Sequence, residues 1–269
     1  MEQQSLIASD GTRLVYQDLG PRDGIPIVLC HGLGAGAAQF AADAAWFAAQ
    51  GCRVLAPDLR GHGFSDVSHG NGADAYSLDR LARDQIEMLD HAGLEAVHWV
   101  GNSLGGIIGL TLVSAHPARF LSLATFGTAL ALNLPGWTAG IMPLMDRFPG
   151  RAPMARLTAW STTRNRAARP VIQSLLRRYD TSAVTAIVRH IARYDLTTAA
   201  SGWQGPGLVL VGGRDRAVNR ALLGQLAPLR ALPNWGVVDL PHGGHCANLD
   251  ATDAWRESLL GFWRAATRA

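Results

Sequence analysis

The chain has 269 residues, of which 48% are hydrophobic and 17% charged, and its formal net charge is +3. That is enough apolar chain to bury a sizeable core, and it excludes a disordered protein. Every basic residue is arginine, but the net charge is small and no arginine run interleaves with aromatics, so composition makes no case for nucleic acid.

Three cysteines, Cys30, Cys52 and Cys246, show no framework spacing, which predicts a reducing compartment and no disulfide scaffold. The opening Met1-Glu2-Gln3-Gln4-Ser5 has neither a basic segment nor an apolar one of the secretory kind, and no apolar run is long enough to span a bilayer. The expectation is a cytoplasmic protein with no membrane partner.

In chain order, residues 14–19 read as a strand and Ile25–Cys30 as a buried one. An alanine-rich helix over 37–50 and a strand over 53–56 follow. Ser77 is a suitable N-cap for a helix over 78–92, whose Leu81, Ile86 and Leu89 share a face. Next come a strand over 96–100, a helix over 107–116 and a strand at Phe120–Phe126. The strand–helix alternation predicts an α/β fold, a doubly wound parallel sheet with helices on both faces. From 134 to 195 there is no convincing strand, and prolines punctuate helical segments rich in arginine, alanine and leucine. Alternation resumes with a strand over 207–211, a helix over 217–229, the strand Trp235–Leu240 and a helix over 251–266. The simplest organisation is one core domain, 1–127 with 199–269, interrupted by a helical lid over 128–198; two independent domains are the alternative.

Between the strand ending at Val100 and the next helix stands Gly101-Asn102-Ser103-Leu104-Gly105-Gly106. A serine flanked by glycines at a strand-to-helix corner is the nucleophile elbow pattern, with Oγ exposed and new helix amides facing any negative charge that develops beside it. Serine needs a base to act as a nucleophile, and the base needs a carboxylate to hold its tautomer. In such sheets reactive groups gather just past the strand ends. Asp215 lies past the strand 207–211. His245 lies past the strand that ends at Leu240, with His242 as its competitor; His245 is favoured because it sits on the longer, glycine-jointed part of the loop. The chain order is then Ser103, Asp215, His245. The loop His31-Gly32-Leu33-Gly34 follows the strand ending at Cys30, so the backbone N–H groups of Leu33 and Leu104 are the candidate oxyanion-hole donors. His31 has no neighbour at metal-ligand spacing and reads as a loop organiser.

These motifs, with Asp58-Leu59-Arg60-Gly61-His62-Gly63-Phe64-Ser65-Asp66, Gly213-Arg214-Asp215 and Gly244-His245, fall in the order and spacing of the α/β-hydrolase superfamily, which the chain resembles over nearly its whole length. The resemblance implies a mostly parallel eight-stranded sheet, a helical lid, a Ser-Asp-His triad and no cofactor or metal. In it His62 and Ser65 are loop residues. Position 103 is serine, which sets the chain apart from the branches with an Asp nucleophile, the haloalkane dehalogenases and epoxide hydrolases. Asn102 before Ser103 resembles the C–C bond hydrolases of aromatic-ring degradation, whereas Cys246 stands where those enzymes usually carry Trp. The first half also resembles 3-oxoadipate enol-lactone hydrolases and carboxylesterases. The expected activity is hydrolysis of a small-molecule ester or lactone. C–C hydrolysis of a vinylogous 1,5-diketone and a non-catalytic ligand receptor are the alternatives. Within the lid, Trp137, Met142, Met145, Leu157 and Trp160 are candidates to line an apolar pocket. One of its ten arginines is a candidate for a substrate carboxylate, with none singled out.

Overall fold

The structure is a computed structural model that describes residues 2–70, 73–163 and 165–266; the side chains of Met142 and Met145, and Arg164, lie outside the described residues. The first half runs β1 (Glu2–Ile7), β2 (Arg13–Leu19), β3 (Ile25–Cys30), α1 (Ala41–Ala49), β4 (Cys52–Asp58), α2 (Leu78–His91), β5 (Val97–Asn102), α3 (Leu104–Ala115) and β6 (Phe120–Phe126). A mostly helical stretch follows: β7 (Ala131–Asn133), α4 (Thr138–Met145), α5 (Arg151–Thr162), α6 (Arg169–Leu175), α7 (Thr181–Ile191), β8 (Arg193–Asp195) and α8 (Thr197–Gly202). The chain then returns to the sheet with β9 (Gly207–Gly212), α9 (Arg216–Arg230), β10 (Trp235–Leu240), α10 (Ala247–Asp250) and α11 (Thr252–Ala266).

Eight strands form one sheet in the order β1-β2-β4-β3-β5-β6-β9-β10. β1 with β2 and β2 with β4 are antiparallel; every later pairing is parallel. The central strands are apolar on both sides because both faces are covered. Ile27, Leu29, Val54, Val100, Leu208 and Leu210 pack with Phe40 and Phe47 and with Trp255, Leu259 and Trp263 of α11. Their neighbours one residue on, Val28, Cys30, Leu55, Val209 and Val211, join α2, α3 and α9 on the other face. The two-residue period of the strand thus splits a continuous apolar run into two cores. β6 and β9 are adjacent in the sheet, so everything from β7 to α8 leaves and re-enters between neighbouring strands. Among the described residues no helix is long and apolar enough to cross a membrane.

The sequence reading missed three strands. β1 is an edge strand with one buried side chain, Leu6, and so lacks an apolar signature. β7 and β8 are three residues each and pair with one another as a separate ribbon, and β8 corrects the expectation of no strand between 134 and 195. The helix expected over 37–50 starts as a tight 3-10 turn, Ala37–Phe40, before α1.

A buried ion pair fixes the loop after β4. The Arg60 guanidinium, 0% exposed, donates to both Asp84 oxygens at 2.6 and 2.7 Å, and to Asp10 and the Ala75 carbonyl at 2.8 Å each. Burial holds the Asp84 carboxyl above its ordinary pKa, against the pull of Arg60 and Arg80. Asp84→Ala would leave the buried Arg60 charge with Asp10 as its one remaining carboxylate among these contacts, so it should cost about 3 kcal/mol in chemical denaturation. A loss below ~1 kcal/mol would show that the pair does not anchor the loop.

Candidate functional site

The site is built from the loops that leave the carboxyl ends of β3, β5, β9 and β10. Ser103 sits between β5 and α3 at φ 50° and ψ −113°, and it is the one non-glycine residue with positive φ among the described residues. Such a conformation costs about 1–3 kcal/mol unless the surroundings impose it. Here they do. The Ser103 N–H donates to the Phe126 carbonyl at 3.0 Å, and the Ser103 carbonyl accepts from the N–H groups of Gly106 and Ile107. A Cβ on Gly101 would lie 2.3 Å from the Gly105 carbonyl, and one on Gly105 would lie 2.3 Å from the Cys30 carbonyl oxygen. Both contacts are with backbone, which cannot yield, so strand and helix meet at a distance that only glycine permits.

Leu104 is the first residue of α3, where its N–H has no intrahelical acceptor. The other expected donor, Leu33, follows Gly32, whose Cβ position is 3.1 Å from Ser103 Cβ. The loop after β3 therefore passes directly beside the serine. Two buried histidines hold that loop. His31 Nε2 accepts the Leu59 N–H at 3.0 Å, and its ring Nδ1 lies 2.7 Å from the Gly32 carbonyl. His62 Nε2 accepts the Gly34 N–H at 3.0 Å, with Nδ1 at 3.0 Å from the Arg60 carbonyl. Both rings are thus neutral with the proton on Nδ1. Burial pushes His31 down to about 4 and, together with the neighbouring His31 ring, His62 down to about 3. His31 thus sits where a loop organiser would, and His62, expected only as a loop residue, does the same for Gly34.

Asp215 caps α9, accepting the Val218 N–H on Oδ1 at 3.3 Å, and places Oδ2 2.8 Å from His245 Nδ1. Its side chain is 5% exposed and that of His245 26%, so the pair is shielded at the carboxylate end and open at the ring. His242 instead faces Arg214 at the surface, its Nδ1 3.1 Å from the guanidinium. The geometry pairs Asp215 with His245, not with its competitor. The β9 and β10 loops are pressed together, since a Cβ on Gly212 would lie 2.6 Å from the Gly244 carbonyl oxygen. Among the described residues Ser103 Oγ and His245 make no hydrogen bond; in ligand-free sites such contacts are commonly long and tighten with substrate.

A cavity of about 60 Å³ beside His245 is lined by Gly32, Leu33, Gln39, Asn102 and Cys246 below and by Thr158, Thr162, Ile172, Leu175 and Leu176 above. The upper wall belongs to α5, α6 and the residue after α6. A larger cavity of about 380 Å³ lies beyond Ala35 and Leu175, against Asp58, Phe64 and Arg178, and touches none of the three candidate catalytic residues. The aromatic lining expected from sequence is not the one observed. Trp137, Leu157 and Trp160 are 66%, 56% and 54% exposed. On α5 the inward edge carries Ala155, Ala159 and the two threonines, so Leu157 and Trp160 fall on the outer face. Among the described residues no arginine lines the cavity beside His245.

Sequence reasoning passed over two contributors. Gln39 donates from its Nε2 to Asn102 Oδ1 at 2.9 Å, and Asp250 accepts the Gly244 N–H at 2.9 Å while also bonding Thr163 after α5. Neither stands in a motif, and both act on loops distant in sequence.

A family model for the alpha/beta hydrolase fold matches residues 25–252. The chain belongs to the α/β-hydrolase family. It is 28% identical over 266 residues to the dihydrolipoyllysine-residue acetyltransferase component of the acetoin cleaving system of Pseudomonas putida, covering 94% of this chain and 67% of that protein. It is 35% identical over 153 residues to a 2-hydroxymuconate semialdehyde hydrolase of Pseudomonas putida, covering 56% of this chain and 52% of that one. Among solved structures it is similar to an enol-lactonase from Burkholderia xenovorans LB400, with a TM-score of 0.84 and 25% identity over 96% of this chain and 99% of that one.

The neutral histidines of this α/β hydrolase make its stability pH-dependent. Unfolded, each titrates near 6.5; folded, near 4 or 3. Between those values the unfolded chain binds protons that the folded one does not, so stability is full above about pH 7 and falls as pH drops. The slope per histidine is at most about 1.4 kcal/mol per pH unit. His62→Gln keeps an acceptor for Gly34 but does not titrate, so its stability should fall less than that of the unmodified protein between pH 7 and 5. Equal slopes in denaturation curves would contradict a neutral His62.

Proposed function

We propose that the protein is a serine hydrolase that cleaves a carboxylic ester or lactone through an acyl-enzyme on Ser103. The observation that carries this reading is His245 bound through Nδ1 to buried Asp215 at 2.8 Å, one loop away from a serine held in the left-handed region. With Asp215 accepting a hydrogen bond from Nδ1–H, the ring stays in the tautomer whose Nε2 keeps its lone pair. It removes the Ser103 Oγ proton as that oxygen attacks the substrate carbonyl. The N–H groups of Leu33 and Leu104 stabilise the oxyanion, each worth about 3 kcal/mol in the transition state. His245 returns the proton to the leaving oxygen, which in a lactone stays tethered to the acyl group. It then deprotonates water for attack on the acyl-enzyme, and Ser103 recovers its proton. Every step uses groups of the chain and water. In the same reading, residues 128–198 act as a lid over the site, with Thr158, Thr162 and Ile172 as its inner wall. The similarity to an enol-lactonase along nearly the whole chain supports a lactone or ester in this pocket.

A second reading, C–C hydrolysis of a ring-fission diketone, draws on Asn102 before the serine and on the similarity to a 2-hydroxymuconate semialdehyde hydrolase. A panel of p-nitrophenyl esters, lactones and a vinylogous 1,5-diketone separates the two. Ester or lactone turnover should exceed diketone turnover, and the reverse order would replace the first reading with the second. Ser103→Ala should lower kcat on the order of 10⁶-fold and Asp215→Asn roughly 10³–10⁴-fold. A well-folded protein with no turnover of any panel member would leave a non-catalytic ligand receptor.

A further inference from the structure

Asn102 precedes the candidate nucleophile, and the acyl-transfer steps give it no part. It is buried, 2% exposed, at the last position of β5. Its amide reaches three other segments at once. Oδ1 accepts from Gln39 Nε2 at 2.9 Å, on the 3-10 turn that follows the loop of Leu33. Nδ2 donates to the Phe126 carbonyl at 3.2 Å, at the end of β6, and to the His245 carbonyl at 3.0 Å. One acceptor and two donors thus meet one donor and two acceptors, so the amide can sit only one way round. Turned over, its oxygen would face two carbonyl oxygens and its nitrogen would face the Gln39 amide hydrogens.

The chain keeps space for this arrangement. Gly127, next after Phe126, has φ +58°, and a Cβ there would lie 2.9 Å from both Asn102 Nδ2 and the His245 carbonyl oxygen. A side chain at 127 would wedge apart the contact that Asn102 makes. The histidine loop is otherwise long and rich in glycine, so its position relative to Ser103 has to come from such cross-links.

On the serine-hydrolase reading above, we infer that Asn102 is a positioning residue: its amide fixes the His245 backbone, and through Gln39 the oxyanion-loop turn, in one frame with Ser103. Asn102 touches no reacting atom. It sets where the imidazole stands when substrate closes the serine–histidine contact, and it sets the same frame for the loop that stabilises the oxyanion. The aspartate of the same shape is the informative replacement. Asn102→Asp keeps the acceptor for Gln39 but turns a carboxylate oxygen toward two carbonyl oxygens.

The test compares Asn102→Ala and Asn102→Asp with the unmodified protein by ester kinetics and by NMR of the His245 ring. A misplacement on the scale of 1 Å should lower kcat about 100-fold and leave KM within about twofold. The downfield Nδ1 proton of His245 should weaken or vanish in both variants, since the ring drifts from Asp215. Asn102→Asp should recover part of its kcat as pH falls and its carboxyl regains a proton to donate. If either folded variant keeps kcat within about twofold of the unmodified value, or keeps the His245 resonance unchanged, the inference is overturned even if its melting temperature falls. If the unmodified protein turns over no substrate, the serine-hydrolase reading fails by itself, and the His245 resonance still decides whether Asn102 holds the histidine.

Discussion

Ser103 stands where β5 turns into α3, with a backbone that no neighbouring non-glycine residue adopts, between glycines whose backbone meets the helix and the end of β3 closely. That one close approach dictates much of the chain around it. Gly101 and Gly105 lack side chains because strand, helix and the end of β3 leave no volume for a Cβ. Gly106 is small because Thr128 Oγ1 occupies the space where its Cβ would be, and that hydroxyl in turn donates to the Ser103 carbonyl at 3.1 Å. Trp99 Nε1 donates to the Gly105 carbonyl at 3.0 Å and ties the first turn of α3 to the sheet. The strain at one residue is thus offset by packing and hydrogen bonds of the residues around it, which is how a strained turn persists in a folded protein.

The second organising feature is a set of buried polar side chains that replace water around irregular backbone. His31 and His62 supply acceptors to the N–H groups of Leu59 and Gly34. Asp58 accepts from Ala37 and Phe64, and Ser65 bridges the Asp58 carbonyl and the Val15 N–H. Loops this deeply buried would otherwise carry unsatisfied amides, each costing on the order of 1–3 kcal/mol. The helical segment docks on the same loops through backbone, Gly63 donating to the Arg178 carbonyl and Asp180 to that of Gly61. The β3 loop, the β4 loop and the helices packed on them are therefore one bonded unit.

Most of the sheet was legible because its strands alternate with helices and are apolar on both faces, as at Ile25–Cys30 and Phe120–Phe126. β1 escaped notice because an edge strand buries only Leu6, and β7 and β8 because three residues cannot display a period. At the site, Ser103, Asp215 and His245 could be located by their place after strand ends, and the pairing of Asp215 with His245 needed the fold to choose between two histidines. The pocket wall was not legible, because the size of a side chain does not say which face of a helix carries it. On α5 the small residues face in, since the helix lies close to the loops beneath it. Gln39, Asp250 and the reach of Asn102 were illegible for a common reason: each joins segments far apart in sequence, and no local pattern marks such a contact.

The central claim is that Ser103 carries the acyl group between the two half-reactions. Rapid quenching after mixing with a slowly deacylated ester, followed by intact-mass measurement and peptide mapping, tests it without relying on substitutions. One acyl group per chain is expected, on the peptide containing Ser103, appearing before steady turnover and disappearing with it. Turnover with no acylated chain, or with the acyl group on another residue, would contradict it.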